Sequence, residues 1–356
     1  MLVGLPLLAP AQGISSFALP APHSEPKGIA AGPDGALWFT ELYSNKIGRI
    51  AIDGTITEFP IPTASAYPNM IAAGADGSLW FTELLGNNIG RIAPNGSIAE
   101  YQIPTSPAYA FGITKGPDGA VWFTEMFGNG VGRIDPAGNI SEFPAITQSA
   151  GCAAIVTGPD GALWFTEKFV GRIGRIDTDG NVTEFALSDF GSSPSSIALG
   201  PDHGLWFTEW ADNKIGRMDT SGNVIEYPLP SPASYPSGIT VGPDGRLWFT
   251  EGPLSGKIGA ISISGQISEY AVPGSGGFPA VPAWMTAGPD GAIWFTQDIG
   301  SIARILPSQA SLAAAQSSQN ATQPSLNTDE NVSWRTVPAD LHRDRVVSAG
   351  GRTGDR

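Results

Sequence analysis

Residues 26–60 read PKGIAAGPDGALWFTELYSNKIGRIAIDGTITEFP. Four β-prone runs lie in this stretch, at 28–31, 36–40, 46–50 and 55–59. Turn residues separate them: Pro33, Asp34 and Gly35 between the first two, Asp53 and Gly54 between the last two. The expected unit is a four-stranded antiparallel meander. In its second run both parities are apolar, with Leu37 and Phe39 on one face and Trp38 on the other. A strand of this kind is covered on both sides, so its sheet packs between neighbours rather than facing water.

The neighbours are copies of the same unit. A Trp-Phe-Thr triplet begins at Trp38, Trp80, Trp122, Trp164, Trp206, Trp248 and Trp294, with five successive spacings of 42 residues and a last of 46. Seven such repeats predict an all-β fold: a seven-bladed β-propeller of four-stranded antiparallel blades, whose radial closure protects the strand edges. The seventh unit has a third run at 302–305 but no outer run after it. Instead, Gly13, Ile14, Ser15, Ser16 and Phe17 reproduce the pattern of residues 138–143 ahead of the first complete unit. Residues 13–19 are therefore expected to form the outer strand of the last blade and clasp the ring.

On this reading residues 13–306 are the propeller, 1–12 an apolar lead-in or signal remnant, and 307–356 a tail. The lead-in has the apolar core and small-residue end of a secretory signal, but no Lys or Arg precedes Lys27. A secreted or periplasmic address is the expectation, with cytoplasmic residence left open. Beyond Leu306 the hydrophobic periodicity stops, and such a segment buries too little apolar area to offset its ordering entropy. It is expected to be disordered, with Trp334 as a local docking point.

Composition narrows the function classes. With 46 Gly and 31 Pro in 356 residues, coiled coils and helical bundles are excluded. A net charge of -14 repels phosphate backbones and anionic lipid, so nucleic acid is not an expected partner. No run approaches the roughly 20 apolar residues that span a bilayer. The single Cys152 permits no internal disulfide, and His23, His203 and His342 lack the spacing of a structural zinc site. A monomer binding a small-molecule or peptide-like ligand is expected.

Three repeated features invite chemistry. Arg49, Arg91, Arg133, Arg175 and Arg217 fall, with a two-residue turn at Asp53 and Gly54 and its equivalents, opposite Glu58, Glu100, Glu142, Glu184 and Glu226. They are expected to form cross-strand ion pairs. A second set of carboxylates, Glu41, Glu83, Glu125, Glu167, Glu209 and Glu251, closes the second runs, with Gln297 in seventh place. Their rim is shared with Lys27, Asn69, Phe111, Ala153, Ser195, Ser237 and Ala283, which open the inner runs. Oxygen ligands there suit Mg²⁺ or Ca²⁺, and the alternative is that each Glu accepts hydrogen bonds from its own loop amides. Just beyond them comes an apolar collar that includes Leu42, Tyr43, Leu85, Phe127, Phe169 and Trp210, joined by Tyr67, Tyr109, Tyr235, Phe278 and Trp284 from other loops. It either packs blade against blade or binds a sizeable amphipathic ligand.

Taken together, GPDGALWFTE, NKIGRI and the Ile-Thr-Glu-Phe outer run resemble the streptogramin B lyases, also called virginiamycin B lyases, over residues 13–305. The resemblance implies opening of a cyclic depsipeptide by elimination across its ester. A base removes the proton α to a carbonyl polarised by Mg²⁺, and the threonyl oxygen departs. Aligned on WFTEWADNKIGRM, the family's substrate-contacting His falls on Ser195, its metal-binding Glu on Tyr235, its catalytic His on Ser237 and its second metal-binding Glu on Glu251. Aligned on the first blade, Glu25 and Glu41 supply the two carboxylates, and Lys27 stands at the His. Candidate catalytic residues are thus Lys27 and His23, which lies in a loop before the rim. Candidate substrate contacts are Ser195, Tyr235, Ser237, Trp210, Phe127 and Trp284, and candidate metal ligands are Glu25, Glu41 and Glu251. The alternative is a non-catalytic propeller that binds a peptide, glycan or cell-surface ligand through its aromatic and acidic rim.

Overall fold

The computed structural model describes residues 13–252, 255–274 and 280–307. The lead-in before Gly13, Phe278, Trp334 and the tail beyond Pro307 lie outside the described residues. Seven four-stranded antiparallel sheets make up the fold. In the first blade the strands run Pro26–Ala31, Leu37–Glu41, Lys46–Ile50 and Ile56–Pro60, from the channel outward. In the last blade Pro282–Ala287, Ile293–Gln297 and Ser301–Ile305 come from the C-terminal end, and Ile14–Ala18 adds the outer strand. Ile14 lies opposite Ile305 and Phe17 opposite Ile302, so the ring is clasped as the repeat pattern requires.

The core is distributed between the blades. Each second strand is buried along its whole length. Its Trp stacks on the outer-strand aromatic of its own blade, as Trp38 on Phe59 at 5.5 Å. That same aromatic closes over the turn glycine of the next blade. A Cβ on Gly96 would stand 2.3 Å from Phe59, and this glycine has φ +89°. The Trp and Phe of the second strands are the largest buried side chains, so they contribute strongly to the hydrophobic free energy.

The hairpin between the third and outer strands corrects one expectation. Ala51 N–H donates to Thr55 O at 2.9 Å and Gly54 N–H to Ala51 O at 2.9 Å, with Gly54 at φ +94°. The loop therefore has three residues ending in a left-handed glycine, rather than two, and the register moves by one. Glu58 lies opposite Gly48, and Arg49 opposite Thr57. Arg49 Nε instead pairs with Asp34 at 2.7 Å, and Glu58 with Lys46 at 2.5 Å. The same arrangement joins Arg91 to Asp76, Arg133 to Asp118, Arg175 to Asp160 and Arg217 to Asp202. Each of these aspartates also accepts from the Trp indole, as Asp34 does from Trp38 at 3.0 Å, and the guanidinium lies over the ring, 5.9 Å from its centroid for Arg49.

Candidate functional site at the channel mouth

Every inner strand carries a bulge where it meets the mouth rim. In the first blade Pro26 pairs with Glu41 and Ile29 with Phe39, which leaves one extra residue at Lys27 and Gly28. A bulge re-aims the side chains it carries. The Thr of the Trp-Phe-Thr triplet holds it in place. Thr40 Oγ1 accepts from Gly28 N–H at 3.0 Å and donates to Asn69 O of the next blade at 2.6 Å. The same stitch runs from Thr208 to Ser237 O at 2.7 Å and from Thr250 to Ala283 O at 2.8 Å. It closes the ring from Thr296 to Lys27 O at 2.8 Å. The repeated threonine thus fixes the residues that open the inner strands.

Those openers surround a cavity of about 170 Å³. Lys27, Phe111, Ala153, Ser195, Ser237 and Ala283 line it from the inner strands. Lys168, Trp210, Gly252 and Asp298, each the residue after the second strand of its blade, line it from the loops, and Trp284 completes an aromatic wall. Of the residues expected from sequence, Lys27, Ser195, Ser237, Trp210 and Trp284 meet here. Tyr235 backs the wall by packing on Trp210 with ring centroids 4.8 Å apart. Phe127 sits outside the cavity, edge-to-face with Tyr109 and stacked with Phe169, on a collar that is open to solvent. Tyr43, Leu85, Phe127, Phe169 and Trp210 are all exposed, so this part of the collar is surface rather than blade packing. His23 is exposed with φ 62°, and His203 lies in a turn at the opposite rim; neither lines the cavity. His342 lies outside the described residues.

The charged groups of the mouth form one cluster and one isolated amine. Lys27 Nζ stands 2.6 Å from Glu25 and 3.1 Å from Asp298. Burial opposes the charge on Lys27, but Asp298 and Glu25 outweigh it and hold the ammonium above the usual lysine range. Burial alone pushes Lys168 the other way. The only partner of its amine among the described residues is the Trp210 ring, 5.7 Å from Nζ to centroid. Sequence reasoning passed over Lys168. The signal was present, because the residues that follow the second strands are Leu42, Leu84, Met126, Lys168, Trp210, Gly252 and Asp298, and Lys168 is the single base among them.

The closing glutamates do not face the cavity. Glu41, Glu83, Glu167, Glu209 and Glu251 are wholly buried and Glu125 nearly so. Burial, reinforced by the outer-strand carboxylate of the same blade, raises Glu41 and Glu251 to about 7 and Glu83, Glu125, Glu167 and Glu209 to about 8. Their outer-strand neighbours are engaged elsewhere: Glu184 accepts from Thr147 N–H at 2.8 Å and Glu269 from Ser231 N–H at 3.0 Å, each tying its loop to the preceding blade. The pairs are architecture, and burial favours the neutral acid at the closing glutamate of each.

Mg²⁺ requires charged oxygens that converge and are free. Glu25 and Asp298 are already spanned by an ammonium, while Glu41 and Glu251 are buried in separate blades and pushed towards neutrality. Among the described residues no group of three or more His, Cys, Asp or Glu side chains is placed to hold a metal ion. The described residues of the mouth do not fit the ion.

Comparison with known proteins places this geometry. The Virginiamycin B lyase family model matches residues 8–203 and 145–325. The solved structure of virginiamycin B lyase from Staphylococcus aureus is 38% identical with a TM-score of 0.78, covering 82% of this chain and 98% of that one. A catalytically inactive His-to-Ala variant of the same enzyme, solved with quinupristin, matches equally well. A curated virginiamycin B lyase from Saccharopolyspora erythraea is 50% identical over 44 residues, and the match spans 15% of that relative's length. Hydrazine synthase from Kuenenia stuttgartiensis, at 16% identity and a TM-score of 0.62, shares the fold alone.

Proposed function

Because the chain belongs to the virginiamycin B lyase family, we propose that it is a carbon–oxygen lyase that opens the ester of a cyclic depsipeptide of the streptogramin B class at the channel mouth. The observation that carries this reading is the cavity itself. It lies on the rim where the inner strands open, and Phe111, Trp210 and Trp284 wall it with aromatic surface, while Lys27, Ser195 and Ser237 supply polar groups. An amphipathic ring with aromatic side chains suits such a wall, and the exposed collar of Tyr43, Leu85, Phe127 and Phe169 extends the apolar surface around it. Elimination needs a base near an acidic C–H and a positive group near the adjoining carbonyl, and two amines, Lys27 and Lys168, line this mouth, although among the described residues no imidazole does.

A second reading, a propeller that binds such a ligand without converting it, is favoured by one observation: no histidine lines the cavity among the described residues. One experiment separates the two. Purified protein is incubated with quinupristin, the compound found with the inactive staphylococcal variant, and followed by mass spectrometry and chromatography. A linear product of unchanged mass supports the lyase reading. Retention of the intact ring on the protein supports the binder, and a gain of one water, the mark of hydrolysis, refutes both.

A further inference from the structure

Two amines line the mouth cavity, and their surroundings oppose each other. Lys27 is clamped between Glu25 and Asp298 at 2.6 and 3.1 Å. No ion pair joins Lys168 to a carboxylate among the described residues; it lies over the Trp210 ring, in a cavity whose lining, apart from Lys27 and Asp298, is uncharged. The charged groups that share the cavity with it are Lys27 and Asp298, and these two neutralise one another. Two like groups whose surroundings push them in opposite directions within one cavity have the arrangement of an acid and a base. The raised pKa of Lys27 and the lowered pKa of Lys168 agree with that arrangement, and the weak attraction of an ammonium to Trp210 is outweighed by loss of water.

We propose that Lys168 is the base of this pocket and that the ammonium of Lys27 is its electrophilic partner, acting on a bound β-acyloxy carbonyl compound. The proposal rests on the lyase reading above and names the residues that would perform it. The lone pair of Lys168 Nζ takes the proton α to the carbonyl. The C–H electrons form the new C=C bond, and the C–O bond to the acyl group breaks, its electron pair leaving on the carboxylate. Negative charge that gathers on the carbonyl oxygen during this step is stabilised by Lys27, and Lys168 returns its proton to water. Atoms and electrons balance without an oxidant or a metal. The fixed positive charge between Glu25 and Asp298 also accounts for the poor fit of these residues to Mg²⁺.

The test uses the full chain, quinupristin and chelator. The wild-type protein is expected to form the linear, isobaric product in EDTA. K168M and K168R should each lower kcat by about 100-fold or more with KM little changed, since arginine cannot give up its proton, and K27M, which removes the positive group, should lower kcat by about 100-fold as well. Position 168 also permits a rescue. K168C should be inactive until alkylated with 2-bromoethylamine, which rebuilds an amine of lower basicity and should move the pH–rate profile to lower pH. Cys152 is buried and its thiol is pushed up by burial, so alkylation falls on position 168. The pair is overturned if the wild type turns over and either Lys168 variant stays within about threefold of it, or if EDTA abolishes the rate. Failure of the wild type to open the ring at all removes the lyase reading, and the pair with it. Because that outcome appears before any variant is made, the two failures are distinguishable.

Discussion

The two rims of the disc are built on opposite plans. At the rim of the Pro-Asp-Gly turns, an aspartate accepts from the Trp indole in all seven blades, at 2.9 to 3.2 Å, and an arginine completes the group each time. At the mouth rim the openers are Lys27, Asn69, Phe111, Ala153, Ser195, Ser237 and Ala283, five residue types at seven positions. The difference lies in what each side chain packs against. The Trp and its Asp fill space between neighbouring blades, so geometry dictates the same residues every time. The openers sit on bulges whose backbone is already held by the triplet Thr, and their side chains point into a channel that imposes no common shape. Chemistry can vary there without disturbing the ring.

The largest expected effect tests this contrast directly. Trp164 is fully buried and Trp210 lies exposed at the mouth. Trp164→Ala should lower stability by about 3–5 kcal/mol, whereas Trp210→Ala should cost under about 1 kcal/mol and weaken ligand binding instead. Denaturant midpoints of the two variants, read beside quinupristin binding, check this; equal losses of stability would erase the distinction between the rims. Next comes the stitch that joins neighbouring blades at the mouth rim. Thr208→Val leaves Ser196 N–H and Ser237 O without their partner, and about 1–3 kcal/mol of stability is expected to go with it. Faster hydrogen exchange at Ser196, whose N–H loses its acceptor, should accompany that loss, and unchanged exchange would show that the threonine does not position the opener.

How much of this contrast could be read from the sequence follows the same division. The triplet spacing gave seven blades, and the displaced pattern at Gly13 to Phe17 gave the strand that closes them, because both depend on repetition. The partner of Arg49 could not be counted, because a left-handed Gly54 after Asp53 serves two-residue and three-residue hairpins alike, and one residue of register exchanges Glu58 for Asp34. The direction of the closing glutamates was hidden for a related reason. A strand end shows which rim it reaches, but not that the side chain turns back into its own hairpin, as the 2.2 Å approach of Glu83 Oε2 to the Cβ position of Gly86 reveals. Lys168 was visible as an exception in its column, yet only the cavity shows that Trp210, rather than a carboxylate, lies beside it.

The buried carboxylates sharpen the comparison through pH. Glu167 is raised to about 8, first by burial and then by the charge of Glu184. Burial also works against the charge on Glu184, but bonds from the Thr147 hydroxyl and amide outweigh it and hold that carboxyl below its ordinary range. In the unfolded chain Glu167 releases its proton near 4.5, so between 4.5 and about 8 the folded state binds a proton that the unfolded state does not. Stability from this group is therefore greatest at the acid end of that window and declines as pH rises through it. Glu167→Gln, which copies the Gln297 of the seventh blade, should leave the urea midpoint unchanged at about pH 5 and raise stability by roughly 1–2 kcal/mol at about pH 8.5. An equal change at both pH values would mean that the glutamate is not held neutral.

The smallest effect concerns the one blade in which the repeated rim departs from its plan. In the sixth blade Ala260 occupies the position of Arg49, and the guanidinium comes from Arg246, two residues before Trp248. Arg246 Nε pairs with Asp244 at 2.7 Å, its Cζ lies 4.9 Å from the Trp248 centroid, and Nη1 donates to Tyr270 Oη at 3.2 Å. The charge has moved from the third strand to the entry of the second, and the Asp–Trp–Arg group survives with a different backbone attachment. If the group itself is what the rim requires, Arg246→Ala should cost about 0.5–1.5 kcal/mol, and Ala260→Arg placed in that background should recover most of it, since the pair is partly exposed and each bond is modest. The double-mutant cycle in chemical denaturation would then show strong coupling between two positions that never pair in the register. Additive costs would instead tie the contribution of Arg246 to its bond with Tyr270, and the sixth blade would stand apart from the other six in its energetics as well as its sequence.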